Sequence, residues 1–226
     1  IAAPTGYSPV QKEAIWHTIL DSSDHLAIDG RLHLEQLRKP TLFDLQRRLR
    51  DHECHILHLV TYANHDPLTN DGILILEDEA GRARPISGQH LGALLRDHFP
   101  LRLVVLHAID LQRTTQPNPQ LAVAQSLLIR GLPTVIAIQS AFDGHSIGVF
   151  SQQFYSQIAD FAPVDLALTE TRRALETTSA SAAWGLPALL TRIPDGQIFL
   201  DPASLQSGPS ATTNRLRTFY PGSRRS

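Results

Sequence analysis

Leu101-Arg102-Leu103-Val104-Val105-Leu106-His107-Ala108 is the stretch on which the fold turns. It is apolar at consecutive central positions, so both of its faces are expected to be covered, as in a parallel strand inside a sheet. Around it the sequence alternates strand and helix. Cys54–Thr61 reads as a strand, and Ile73–Glu77 as a short apolar run followed by a polar hairpin or loop over Asp78–Pro85. Ser87 caps a helix carrying Leu91, Leu94 and Leu95 on one face, ended by Pro100. After the quoted strand come a loop with Pro117 and Pro119, a helix Leu121–Arg130 stopped by Gly131, and a buried strand Thr134–Ile138. Ile147, Phe150, Phe154 and Ile158 mark the next helix, and Val164, Leu168, Thr171 and Leu175 the one after Pro163. Ala188–Ile193 and Gln197–Leu200 close the series as two short strands.

Upstream, Thr41 caps a helix to Asp51 whose Leu42, Leu45 and Leu49 form a buried stripe. Strands joined by crossovers of a dozen or more residues imply a mainly parallel sheet with helices on both faces. Chemistry in such sheets belongs at the carboxyl ends of the central strands. The loops after Val60 and after Leu106 are therefore the places to look.

Composition narrows the field. The chain has 226 residues, 42% hydrophobic and 19% charged, with a formal net charge of −2; that suits one domain, with or without a tail. Near-neutral charge argues against general nucleic-acid binding. No apolar run reaches the ~20 residues of a membrane span, and no signal peptide opens the chain. A single cysteine, Cys54, excludes a disulfide framework and fits a reducing, cytoplasmic setting. Met is absent even at position 1, as expected of a segment of a longer protein. From Ser204 the chain is rich in Ser, Thr, Gly and Pro and carries Arg215, Arg217, Arg224 and Arg225 without an acid. The expected organisation is a lead-in over residues 1–40, one α/β domain over 41–203, and a basic tail or linker over 204–226.

Two strand ends carry the decisive residues. The first reads Leu57-His58-Leu59-Val60-Thr61-Tyr62-Ala63 and the second Val104-Val105-Leu106-His107-Ala108-Ile109-Asp110. They resemble the paired motifs of the CHAT domains, prokaryotic relatives of caspases and separases. There the first strand ends in Leu-His-Phe-x-x-His-Gly, its second His being the catalytic base, and the other in Val-Val-Leu-x-Ala-Cys-x-Ser/Gly, its Cys being the nucleophile. Gly72–Asp78, the Leu-Leu-Ile-Arg-Gly-Leu-Pro-Thr-Val run ending at Val135, Phe154-Tyr155, Thr171–Leu175 and Trp184–Pro187 resemble further family motifs in the same order. The resemblance covers about residues 40–200 and implies a caspase-like three-layer α/β/α sandwich with a central, mainly parallel sheet.

The sequence departs from the family where its chemistry should be. Tyr62 stands at the position of the base, Ala63 at the Gly, and Ile109 at the nucleophile. An isoleucine has no lone pair to attack a carbonyl, and a tyrosine with a pKa near ~10 is a poor base at neutral pH. The resemblance therefore implies a caspase-like pseudoprotease with no catalytic residues: a binding or regulatory module of a larger bacterial signalling protein. Its partner would be a protein, a peptide or another domain of the parent chain, and it would need no cofactor.

Other sites compete with this reading. Cys54, flanked by His52, His55 and His58, would be the nucleophile of a relocated active endopeptidase, yet it stands at the start of its strand. His52-Glu53-Cys54-His55 is one residue short of the helical zinc motif, so no metal is expected. His65, His107 and Asp110 are the candidates for a ligand pocket that outlived catalysis; a purely structural scaffold is the remaining alternative.

Overall fold

The computed structural model describes residues 12–109, 118–178 and 182–202; the expected tail lies outside them. Among these residues six strands form one sheet: β1 (Ile56–Asp66), β2 (Asp71–Glu77), β3 (Ala83–Ser87), β4 (Leu103–Ala108), β5 (Thr134–Ile138) and β6 (Pro187–Thr191). Their order is β3-β2-β1-β4-β5-β6. The centre, β1-β4-β5, is parallel, and β2, β3 and β6 join it antiparallel. The three central strands are those that the apolar runs predict, and β4 and β5 are buried on both faces.

Side-chain alternation divides the core in two. On one face Leu57, Leu59, Val104, Leu106, Val135 and Ala137 meet α2 (Leu42–Asp51), α3 (Gly88–Leu95) and α4 (Pro119–Ile129). On the other, Ile56, Leu103, Val105, Ile136 and Ile138 meet α1 (Lys12–Ile28), α5 (Gly144–Ala159) and α6 (Val164–Thr178). The result is a three-layer α/β/α sandwich. α1 falls within the expected lead-in, yet Ile19 and Leu26 are buried in the same core as α5 and α6.

Local chemistry sets the helix starts. Thr41 Oγ1 accepts from the Asp44 N–H (3.0 Å), Ser87 Oγ from the His90 N–H (3.1 Å), and Asn118 Oδ1 from the N–H groups of Gln120 and Leu121 (3.1 and 3.2 Å). Gly131 ends the α4 connection at φ +106°, a conformation that glycine adopts without a Cβ clash.

Two expectations are corrected. β1 does not end at Thr61: it runs to Asp66, because Tyr62–Asp66 pair antiparallel with Ile75–Asp71. The turn-rich stretch that Asn64–Gly72 reads as in the sequence is thereby shortened to the residues between Asp66 and Asp71. Gln197–Leu200 is not a strand; Ile198 is buried against the α5–α6 side of the core, and the Gln197 side-chain amide donates to the Phe161 and Phe199 carbonyls. An apolar run used to fill the core in this way has no need of a ladder partner.

Candidate functional site

The two strand ends lie together. Thr61 pairs with Ala108 at the end of the parallel ladder, and the Ile109 N–H donates to the Thr61 carbonyl at 3.2 Å. Tyr62 and Ile109 are consequently the next neighbours across the two strands. Counting by two from Ile56 and Leu103 puts both on the sheet face covered by α5. Tyr62 is buried and Ile109 half-buried. The end of β1 thus carries a buried phenol, and the residue after β4 a half-buried hydrocarbon.

Beneath this pair lies a polar cluster. His58 and His107 are one step apart diagonally on β1 and β4, and their rings stack with centroids 5.7 Å apart and 21° between planes. Tyr155, reaching down from α5, places its hydroxyl 2.7 Å from Nδ1 of His58, and Phe142 packs edge-on against His107 at 5.4 Å. Burial pushes the His107 pKa down to about 4. It also holds His58 well below the ordinary histidine range, with His107 beside it adding to the effect. The Tyr155 hydroxyl is pushed the other way, upward, by the same loss of water. At neutral pH the cluster is therefore an uncharged phenol and two uncharged imidazoles. Nε2 of His58 and Nδ1 of His107 are buried with no hydrogen-bond partner among the described residues.

His65 and His107 do not share a pocket. With β1 continuing past Thr61, His65 pairs with Gly72 and falls on the α4 face, whereas His107 belongs to the α5 face. His65 Nε2 instead meets Asn70 Oδ1 at 3.2 Å. Asp110 lies outside the described residues.

Cys54 sits before the first residue of β1, eight positions from Tyr62, which at strand rise is roughly 26 Å. Its thiol donates to the Ile56 carbonyl (3.4 Å), and its own N–H donates to Nε2 of His98 (3.3 Å). Burial raises its pKa, which disfavours the thiolate that nucleophilic attack requires. His52 caps the end of α2 through its N–H, and exposed His55 lies 4.0 Å from Glu53. Among the described residues no group of three or more His, Cys, Asp or Glu side chains is arranged to hold a metal ion.

Three residues that sequence reading passed over shape the surroundings. Asp71, buried at the start of β2, accepts from the Gly72 and Gln89 N–H groups and from Ser126 Oγ, tying β2 to α3 and α4. Asn118 Nδ2 donates to the Gln139 carbonyl (2.7 Å), fastening α4 to the carboxyl end of β5. Gln120, in the first turn of α4, is buried with neither amide atom partnered among the described residues. The sequence signal for Asn118 was present, an amide immediately before Pro119 at a helix start. Asp71 and Gln120 carry none, because their roles depend on elements distant in the chain.

A caspase-like sandwich with its two motif strands adjacent and parallel defines the class of protein, and comparison with known families agrees. The chain belongs to the CHAT domain family, whose model matches residues 4–210. No curated protein matches it. No helix among the described residues is long and apolar enough to cross a membrane.

Proposed function

We propose that this CHAT domain is a pseudoprotease, retained as a binding or regulatory module of a larger bacterial signalling protein. The observation that carries the reading is the adjacency of Tyr62 and Ile109 at the ends of the two motif strands. Family chemistry needs a thiolate and an imidazole at those two positions, and here neither group is present. A relocated nucleophile finds no support: Cys54 is at the opposite end of β1, half-buried, with its pKa raised. The partner in this reading is a protein or peptide, or another domain of the parent chain.

The test is hydrolysis of a peptide panel, including substrates with a basic residue before the scissile bond, together with labelling of native protein by a thiol-directed active-site probe. The reading expects no cleavage above a heat-treated control and no labelling that peptide blocks. Cleavage abolished by Cys54→Ala would overturn it.

A further inference from the structure

Between α3 and α4 lies a recess of about 500 Å³, lined by Gln89, Arg96, Ser126, Ile129, Arg130 and Gly131. Arg96 and Arg130 cap the carboxyl ends of the two helices and lead toward the starts of β4 and β5. The recess is therefore toward the end of the sheet away from Tyr62 and Ile109. Its construction is visible in the sequence once the helices are in place. Glycine inside a helix is unfavourable by itself, yet Gly92 lies within α3. A Cβ there would be 2.9 Å from Cβ and 2.8 Å from Cγ of Arg130, the root of that side chain rather than its flexible end. Glycine at 92 is what lets the arginine stem cross α3. Gln89, three residues earlier, then accepts from the Arg130 guanidinium, Nη2 to Oε1 at 3.4 Å. Arg96 approaches from the other side: its Cγ is 3.9 Å from where a Cβ on Gly131 would stand. Arg192, after β6, extends Nη1 to the Leu128 carbonyl in the last turn of α4 (3.3 Å).

Three guanidinium groups thus gather at the carboxyl end of α4, and little neutralises them. Among the described residues neither Arg130 nor Arg192 has a carboxylate partner; one meets a neutral amide, the other a peptide carbonyl. Arg96 pairs with its neighbour Asp97 at 3.2 Å, but 58% and 77% of the two side chains are exposed, and such a pair contributes little. The carboxylate behind Ser126 is Asp71, whose oxygens are taken by the Gly72 and Gln89 N–H groups and the Ser126 hydroxyl. The chain as a whole has 22 acidic against 20 basic residues, so unpaired positive charge is not its general character. Arginine at a helix carboxyl end offsets the helix dipole. That accounts for a charge there, but not for a glycine that seats its stem or for a recess beside it.

We propose that this recess docks an acidic peptide segment of a protein partner, its carboxylates pairing with Arg96 and Arg130 while an apolar side chain beside them covers Ile129. Guanidinium groups bind carboxylates in a two-pronged geometry that a point charge cannot match, and clusters of them read acidic motifs. An arginine whose stem is already held loses less freedom on binding, and Arg130 is held by Gly92 and Gln89. Ile129, 81% exposed, supplies an apolar contact next to the charges. The chain's own tail does not suit the site, because from Ser204 onward it carries four arginines and no acid. The surface is separate from the strand ends, so it stands whether or not the domain cleaves peptides.

Fluorescence anisotropy tests this with two labelled peptides, Glu-Glu-Leu-Glu-Asp and its neutral twin Gln-Gln-Leu-Gln-Asn, titrated with the intact chain at low salt. The acidic peptide should bind about tenfold tighter than the twin, an advantage that shrinks as salt is added. Arg130→Met keeps the stem over Gly92 and removes the charge; combined with Arg96→Met it should abolish most of that advantage. Replacing the tail charges together, as Arg215→Gln, Arg217→Gln, Arg224→Gln and Arg225→Gln, should leave binding unaltered. In the unsubstituted chain, the side-chain Nε–H resonances of Arg96 and Arg130 should shift as the acidic peptide is added. If neither resonance moves, the proposal is overturned, whatever the folding of the variants. Loss of binding in the tail variant would also overturn it, assigning the affinity to the tail. So would self-association that Arg96→Met with Arg130→Met abolishes, since a second copy would then be the occupant.

Discussion

His58 and His107 stack face to face across β1 and β4, their ring centroids 5.7 Å apart, in a place where neither can readily take a proton. Both pKa values are depressed in the folded state, mainly by burial. Above the ordinary histidine pKa of 6.5 both states hold these rings neutral, and the stabilising effect is fully present. As pH falls below 6.5 the unfolded chain binds protons that the folded chain refuses, so stability declines. For His107, with a folded value of about 4, the loss accumulates between pH 6.5 and 4 to the order of 3 kcal/mol and then levels off. The depressed carboxylates Asp66, Asp78 and Asp143 start from 3.8, so their effect falls below this window. Urea unfolding at pH 7, 5.5 and 4.5 should show the decline, and His107→Gln should flatten it. An unchanged slope in that variant would remove His107 as the cause.

Tyr155→Phe tests the other side of the cluster. The substitution keeps the ring, which packs against Phe154 at 5.6 Å, and deletes only the hydroxyl on His58 Nδ1. A buried polar atom left without its hydrogen-bond partner costs about 1–3 kcal/mol. Chemical denaturation should show a loss in that range with an unchanged m-value. No loss would mean that water replaces the phenol.

Much of this arrangement is legible in the sequence. The run Leu103–Leu106 required a strand covered on both faces, and the two motif strands required Tyr62 beside Ile109. What the sequence does not disclose is where β1 ends. Tyr62-Ala63-Asn64-His65 has no clear alternation, and it stays extended because Ile75, Leu74, Ile73 and Gly72 pair with it. A strand ending at Thr61 leaves the period-2 rule silent on His65, and only the extension of β1 to Asp66 puts the sheet between His65 and His107. Tyr155 was visible as part of a family fragment, but its bond to His58, 97 positions away, depends on how α5 is laid over β1. The buried role of Asp71 was hidden in the same way, since it needs α3 and α4 in place.

Asp71→Ala should be among the more damaging single changes outside the strand ends. The carboxylate is 3% exposed and accepts from two backbone N–H groups and one hydroxyl, at 2.8, 3.0 and 2.7 Å. Removing it strands three donors at the junction of β2, α3 and α4. Hydrogen bonds to a charged group contribute about 1.5–3 kcal/mol each, and relaxation and water recover part of that. A loss of roughly 3–4 kcal/mol is expected, with Asp71→Asn milder because it retains one acceptor. Equal melting temperatures for the wild type and Asp71→Ala would contradict the burial.

Gly72→Ala is a steric counterpart on the neighbouring residue. A Cβ there would lie 2.3 Å from the Pro119 carbonyl oxygen and 2.6 Å from the Val123 N, both backbone atoms that no rotamer change can move. α4 must shift away from β2 to admit the methyl group. Overpacking of this kind costs about 1–3 kcal/mol, and because Asn118 ties α4 to β5, the amides of β5 should also lose protection from exchange. A variant as stable as its parent would show that α4 moves freely, against that tie.

The last prediction concerns the strand ends themselves. In a Cys54→Ser background, Ile109→Cys introduces the only thiol, and Tyr62→His the only imidazole added beside it. The two positions are neighbours on adjacent parallel strands and share a face, so the side chains are close enough to exchange a proton. Ile109→Cys alone should react slowly with iodoacetamide, with a midpoint at or above the ordinary thiol pKa of ~8.5, since half-burial disfavours the thiolate. Adding Tyr62→His should lower that midpoint by about one unit or more and speed alkylation at pH 7 by roughly tenfold, because an adjacent imidazolium stabilises the anion. Peptide hydrolysis, if regained, should appear only in the combined variant, as the two groups act as a unit. The alkylation profile decides independently of hydrolysis. If the midpoint is the same with and without Tyr62→His, the two side chains do not meet, and the adjacency that carries the proposed function is lost.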